Sequence, residues 1–192
     1  MIATEVVPER DIETRVTELG ERISHDYRGL RPVLVCVLSG SLVFHADLVR
    51  GIAIDCETDF LALTRFGHGG RVRLAMDTAT NLEDRHVLIV EDIVDTGLTH
   101  QLLCRTLEAR NCASLETVAL LDRTSRRIVD LEIGYRGFEV GDEFLVGYGL
   151  DWKGRWRNLR SLWAILDFER FDADPSALLS LAHPRRADSL TP

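Results

Sequence analysis

Apolar residues recur at Ile12, Val16, Leu19 and Ile23, a helical spacing that predicts an amphipathic helix from about Glu9 to Tyr27. The period then changes. "RPVLVCVLSGS", residues 31–41, reads as a short buried strand entering a turn of small residues, and "LVFHADLVRGI" after it reads as a helix. "IDCETDFLALTRF", residues 54–66, alternates as a strand does, "GHGG" breaks it, and "RVRLAM" returns, so the two pair as a hairpin or arm. The core pattern resumes with "HVLIV", a helix from about Leu98 to Arg110, and the strand "TVALLD". Three short strand candidates follow: "IGYRGFEV", "FLVGYG" and "SLWAILD".

Buried strands alternating with helices predict an α/β fold whose mostly parallel central sheet is flanked by helices. No proline falls between Pro32 and Pro175, which suits one uninterrupted domain over residues 1–170. After Phe171 the composition shifts to "DADPSALLSLAHPRRADSLTP". Residues 171–192 are therefore expected to form a C-terminal extension, with one short helix in "PSALLSLA" and a loosely held last ten residues or so.

Composition narrows the function classes. The 192 residues are 45% hydrophobic and 28% charged, enough for a real core under an ordinary soluble surface. A net charge of −8 argues against general nucleic-acid binding, which needs a basic field, but leaves room for a small site for a phosphorylated metabolite. Cys36, Cys56, Cys104 and Cys112 form no CxxC pair and no zinc spacing, so reduced thiols are expected, with Cys36 a small buried hydrophobe. The start "MIATEVVPERD" lacks the basic flank and apolar stretch of a secretory signal, and no apolar run approaches membrane-spanning length. A cytoplasmic protein without a membrane partner is the expectation.

The most informative stretch is "HVLIVEDIVDTGLTHQLL", residues 86–103. In open parallel sheets, ligands bind beyond the carboxyl ends of the strands. Here a buried strand ends in Glu91 and Asp92, and Asp95 opens a turn into a helix. Thr96, Gly97 and Thr99 are small, and a tight backbone there lets N–H groups converge on an anion at a helix N-terminus. One phosphate is held that way without a lysine. Glu91 and Asp92 repel a phosphate, but carboxylates accept hydrogen bonds from the paired hydroxyls of a sugar. Phosphate cradle beside diol grip describes a ribose 5-phosphate. There is no Walker A loop and no dinucleotide fingerprint. Residue by residue, the plainer alternative is that Asp95 caps the helix and the acid pair is a solvated loop.

Taken whole, "VLIVEDIVDTGLT" resembles the phosphoribosyl-diphosphate (PRPP) motif of type I phosphoribosyltransferases, in wording nearest the hypoxanthine-guanine group. The similarity continues through "HADLVRGI", "YRGFEV" and "DEFLVGYGLDWKGRWRNL" to about Phe168. It implies a type I phosphoribosyltransferase fold with a small hood and an antiparallel arm or lid. The implied reaction moves ribose 5-phosphate from PRPP to hypoxanthine or guanine, giving IMP or GMP and pyrophosphate, with Mg2+ as cofactor in a homodimer or homotetramer. By the same resemblance, Glu91 and Asp92 hold the ribose hydroxyls. Asp95, Thr96, Gly97, Leu98 and Thr99 cradle the 5-phosphate, and Asp95 is the acid/base facing the purine. Phe144 stacks on the base, although aromatics taken singly are more often core. Leu145 reads the base edge through its backbone. Asp151 is a magnesium ligand beside the purine, with Glu91 and Asp92 contributing through ribose hydroxyls or water. Arg157 meets pyrophosphate as a forked cation.

Three positions depart from the family pattern. The turn usually reading Leu-Lys-Gly is "LSG", so Ser39 replaces a lysine; Ser39 and Gly40 keep the pyrophosphate position, where Gly40 and Ser41 offer backbone N–H groups but no cationic side chain. Arg123 stands where a lysine meets the purine's exocyclic oxygen, an exchange that changes shape and hydrogen-bonding geometry. The lid signature Ser-Tyr-Gly is Arg65-Phe66-Gly67, and the segment after it is several residues short. These changes leave open a different heterocyclic acceptor, or a PRPP-binding regulator without turnover.

Overall fold

The computed structural model describes residues 1–66 and 71–182, without side chains for Arg65, Phe66 and Arg71. The chain divides into two compact units, Glu13–Asp142 and the pairing of Met1–Ile12 with the chain from Glu143 onward.

The larger unit holds a six-stranded sheet in the order β4-β3-β2-β5-β6-β7, made of β2 (Val33–Leu38), β3 (Glu57–Phe66), β4 (Arg71–Met76), β5 (His86–Val94), β6 (Ser114–Asp122) and β7 (Tyr135–Glu139). All neighbours run parallel except the β3–β4 pair, which is antiparallel as the hairpin reading expects. Helices α1 (Glu9–Asp26), α2 (Leu42–Gly51) and α3 (Leu98–Glu108) accompany these strands. The central strands β2 and β5 are apolar on both sides: Val33, Leu34, Val35 and Cys36, like Val87, Leu88, Ile89 and Val90, have no exposed surface. That double burial is why they read as unbroken apolar runs.

The smaller unit is built on a separate antiparallel sheet in the order β1-β9-β8, from β1 (Ala3–Val7), β8 (Phe144–Val146) and β9 (Leu162–Ile165). Residues 144–165 thus leave the parallel sheet. Two short helices follow, α4 (Phe168–Ala173) and α5 (Ala177–Ala182). Asp167 caps α4 by accepting from Arg170 N. Phe171 and Leu178 are fully buried with Val146, Trp156, Leu159 and Trp163, so α4 and α5 pack into this unit's core. The expected tail after residue 182 lies outside the described residues. All four cysteines are free, and no helix among the described residues is long and apolar enough to cross a membrane.

Candidate active site

β5 carries its acids to the carboxyl end of the parallel sheet, where the turn into α3 begins. Gly97 is the residue that makes this turn. Its φ of +85° is left-handed, and a Cβ there would lie 2.6 Å from both Leu131 Cδ2 and Val129 Cγ2. The segment from Arg127 to Leu131 presses on the turn, and Ile128 N donates to Thr96 O at 3.1 Å. Thr96 and Thr99 are half-buried and Leu98 is exposed. The first amides of α3 have no carbonyl one turn back inside the helix, so they are free for an acceptor from outside it.

The plainer reading of Asp95 as the helix cap is corrected here: Gly97 is the N-cap residue, without a side-chain cap. Asp95 instead faces cations. Its Oδ1 lies 3.7 Å from Arg123 Nη1, its Oδ2 lies 3.4 Å from Arg126 Nη1, and Oδ1 is buried without a hydrogen bond. Arg123 is itself buried and donates from Nε to Gly141 O at 2.6 Å. Asp122, at 1% exposure, is neutralised by Arg127 and by Arg136 Nε at 2.7 Å. Sequence reasoning alone does not single out Arg126, Arg127 and Arg136. A run of arginines immediately after a buried strand end was the available signal.

The turn after β2 comes to the same end of the sheet. Ser39 is exposed, and the Leu38–Ser39 peptide is cis. Buried Ser41 donates to Val37 O at 2.8 Å and accepts from Asp92 N at 3.0 Å, pinning this turn to β5. Ser39-Gly40 and Asp92 are thus brought together.

Glu91 and Asp92, adjacent on one strand, point to opposite faces. Asp92 is half-buried beside Gly40, whereas Glu91 is 7% exposed and meets His100 on α3, whose Nδ1 lies 3.4 Å from Glu91 Oε1. Burial pulls the pKa of His100 down, but hydrogen bonds with Cys104 and Glu91 outweigh it and raise it to about 9. The acids are felt further off. Burial, then the charges of Asp92 and Glu91, push the Cys36 thiol up to about 12.

In the smaller unit, Phe144 is 37% exposed rather than core, as single-residue statistics suggest. It stands edge-on to Trp152 and Phe168, with ring centroids 5.5 and 5.4 Å away. Leu145 is buried. The loop after it is tied by Tyr148 N to Leu159 O at 2.9 Å and Gly149 N to Arg157 O at 3.0 Å. These ties bring Asp151 and Arg157 together: Arg157 Nη2 lies 2.7 Å from Asp151 Oδ1, and Gly154 N donates to Asp151 Oδ2 at 2.6 Å. Trp156 packs into the core. Arg65 and Phe66 end β3, in register with Val72 and Arg71 of β4, while Gly67 lies outside the described residues.

Residues 3–153 match the model of the phosphoribosyl transferase domain. A hypoxanthine-guanine phosphoribosyltransferase of Bacillus subtilis is 39% identical over 158 residues, 80% of this chain and 88% of that protein. One from Streptococcus thermophilus is 39% identical over 155 residues, 79% of this chain and 86% of that protein. Among solved structures, a Bacillus anthracis hypoxanthine-guanine phosphoribosyltransferase superposes with a TM-score of 0.83 at 36% identity, covering 86% of this chain and all of that one. A Trypanosoma cruzi hypoxanthine phosphoribosyl transferase does so with a TM-score of 0.85 at 36% identity, over 92% of this chain and 97% of that one.

Proposed function

This chain belongs to the phosphoribosyl transferase family, and we propose that it is a purine salvage enzyme transferring ribose 5-phosphate from PRPP to hypoxanthine or guanine. The observation that carries the reading is the carboxyl end of β5, where two acids run into a turn that only Gly97 can make, at the open N-terminus of α3. Amides of residues 95–99 take the 5-phosphate, while Glu91 and Asp92 take the ribose hydroxyls.

In the reaction, a purine ring nitrogen forms a bond to the anomeric carbon as the bond from that carbon to the pyrophosphate oxygen breaks. The nitrogen's proton passes to Asp95, the carboxylate assigned as acid/base. Phe144, one of three rings in an exposed aromatic group, offers a face for the base, and Leu145 reads its edge through the backbone. Arg123 meets the exocyclic oxygen. Ser39, Gly40 and Arg157 receive pyrophosphate, and the Arg65-Phe66-Gly67 segment acts as the lid.

The oxygen donors fit magnesium. Asp151 and Asp92 are partly exposed carboxylates, and no group of three or more potential ligands is gathered among the described residues. Partly exposed carboxylates of this kind suit a hard cation that arrives on substrate phosphates and is held by one or two of them. When bound, it supplies charge neutralisation to the leaving pyrophosphate. The proposal extends to a cytoplasmic homodimer or homotetramer, carried by the family resemblance.

A base-panel assay tests this reading. Protein, PRPP, Mg2+ and each of hypoxanthine, guanine, xanthine and adenine are incubated, and pyrophosphate is measured. Release with a 6-oxopurine is expected. Arg123 motivates a second reading, a different heterocycle, because its Nε is committed to Gly141 O. Turnover with another base but none of the oxopurines favours that acceptor. Bound PRPP with no release from any base contradicts both.

A further inference from the structure

Glu91 is a carboxylate almost without water, its side chain 9% exposed. A buried carboxylate needs a donor to stay charged and oriented. His100, 4% exposed in the first turn of α3, supplies one from Nδ1 at 3.4 Å, the long end of hydrogen-bonding range. The other ring nitrogen is braced in turn. Nε2 lies 2.9 Å from Thr117 Oγ1 on β6 and 3.2 Å from Cys104 Sγ, one turn along α3.

An ionised carboxylate only accepts, so Nδ1 carries the proton. Hydroxyl and thiol both donate and accept, so the ring keeps this orientation whether or not Nε2 is protonated. Thr117, Cys104 and His100 come from β6 and α3, and they converge behind a residue assigned to the sugar.

We propose that His100 is a positioning residue, whose Nδ1–H holds the Glu91 carboxylate ready for the ribose hydroxyls while Thr117 and Cys104 brace the ring from behind. The inference rests on the proposed function. It gives Glu91 one oxygen anchored in the protein and one for the sugar, so the donor does not spend binding energy on ordering the acid.

Substitution separates positioning from packing. His100 lines a cavity of about 340 Å³ with Cys104 and Thr117, so an alanine there would admit water as a substitute donor. Leucine fills the space instead. In His100→Leu the KM for PRPP is expected to rise about tenfold or more, the scale of a lost hydrogen bond to a charge, with the KM for the base within about twofold. His100→Asn places its amide nitrogen where Nδ1 stands and restores the PRPP KM. His100→Gln reaches only the Nε2 position and does not. Melting temperatures are measured alongside, since a purely structural role would make the PRPP KM follow stability and leave Asn and Gln alike.

An unchanged PRPP KM in His100→Leu, or equal values for Asn and Gln, overturns the inference. If the leucine variant does not fold, the Asn–Gln comparison decides alone. A wild-type protein that neither binds nor consumes PRPP overturns the proposed function and the inference with it. An active wild type whose PRPP KM ignores His100 overturns the inference only.

Discussion

Gly40 and Asp92 occupy one space: a Cβ on Gly40 would stand 1.6 Å from Asp92 Oδ2. The turn after β2 and the acid at the end of β5 are therefore packed backbone against carboxylate, with Ser41 Oγ bridging them to Asp92 N. Gly40→Ala must swing the carboxylate away. Its expected effect is a rise of about tenfold in the KM for PRPP, on the scale of one misplaced charged hydrogen-bonding group, read by steady-state kinetics.

Gly97→Ala tests the phosphate turn. Alanine at a φ of +85° meets a steric cost of about 1–2 kcal/mol, before counting contact with Leu131 and Val129. The melting temperature should fall by about 2–4 °C per kcal/mol in a chain of this size. The PRPP KM should rise at least about tenfold as the converging amides are disordered. Unchanged melting and KM would remove Gly97 from the cradle.

Asp95→Asn keeps shape and removes the proton acceptor. If Asp95 manages the proton of the purine nitrogen, kcat falls by about 10²–10⁴ while PRPP affinity, measured by calorimetry, stays within about threefold. A kcat near wild type would assign the base role elsewhere.

Much of this arrangement is visible in the sequence, and the misses have physical causes. The runs of β2, β5 and β6 are legible because both faces are buried, which leaves no polar positions to blur the pattern. β1 was missed because "ATEVV" is short and half-polar, and its partner Ile165 lies far along the chain. α4 hid in an acidic, tail-like composition, and only burial of Phe171 shows why it forms. The β5–α3 turn could be read because local sequence dictates it. His100 could not, since a lone histidine on an amphipathic helix becomes informative only when Glu91 and Thr117 are placed around it. Phe144 was the reverse case: residue statistics favour burial, but it shares a partly exposed ledge with two aromatic neighbours, Trp152 and Phe168.

Ser39 is the clearest departure from the family pattern and is exposed, so a longer side chain fits. Ser39→Lys returns a cation to the turn assigned to pyrophosphate. Pyrophosphate inhibition should tighten by about two- to fivefold, the range of a solvent-exposed ion pair, and weaken again at high salt. No change at low salt would place pyrophosphate away from this turn.

His45 sets an acid limit on stability. It is 3% exposed in α2, edge-on to Phe60, and neither ring nitrogen has a hydrogen-bond partner. Burial lowers its pKa from the ordinary 6.5 to about 4. Below pH 6.5 the unfolded chain binds a proton that the folded ring refuses until about pH 4. Stability is therefore full above the unfolded value and falls as pH drops through this window, by roughly 3 kcal/mol from this group. Denaturant titrations of wild type and His45→Leu at pH 7 and pH 4.5 check it: the gap between the two proteins should shift in the variant's favour at the lower pH. A gap independent of pH would contradict this account of His45.

The central claim is that the carboxyl end of β5 grips a phosphorylated pentose, and calorimetric titration of the wild-type protein with PRPP and Mg2+ tests it most directly. Saturable binding of one PRPP per chain, weakened at least about tenfold in Gly97→Ala, is the expected result. No heat with PRPP, or equal affinity in wild type and the folded Gly97→Ala protein, would contradict it.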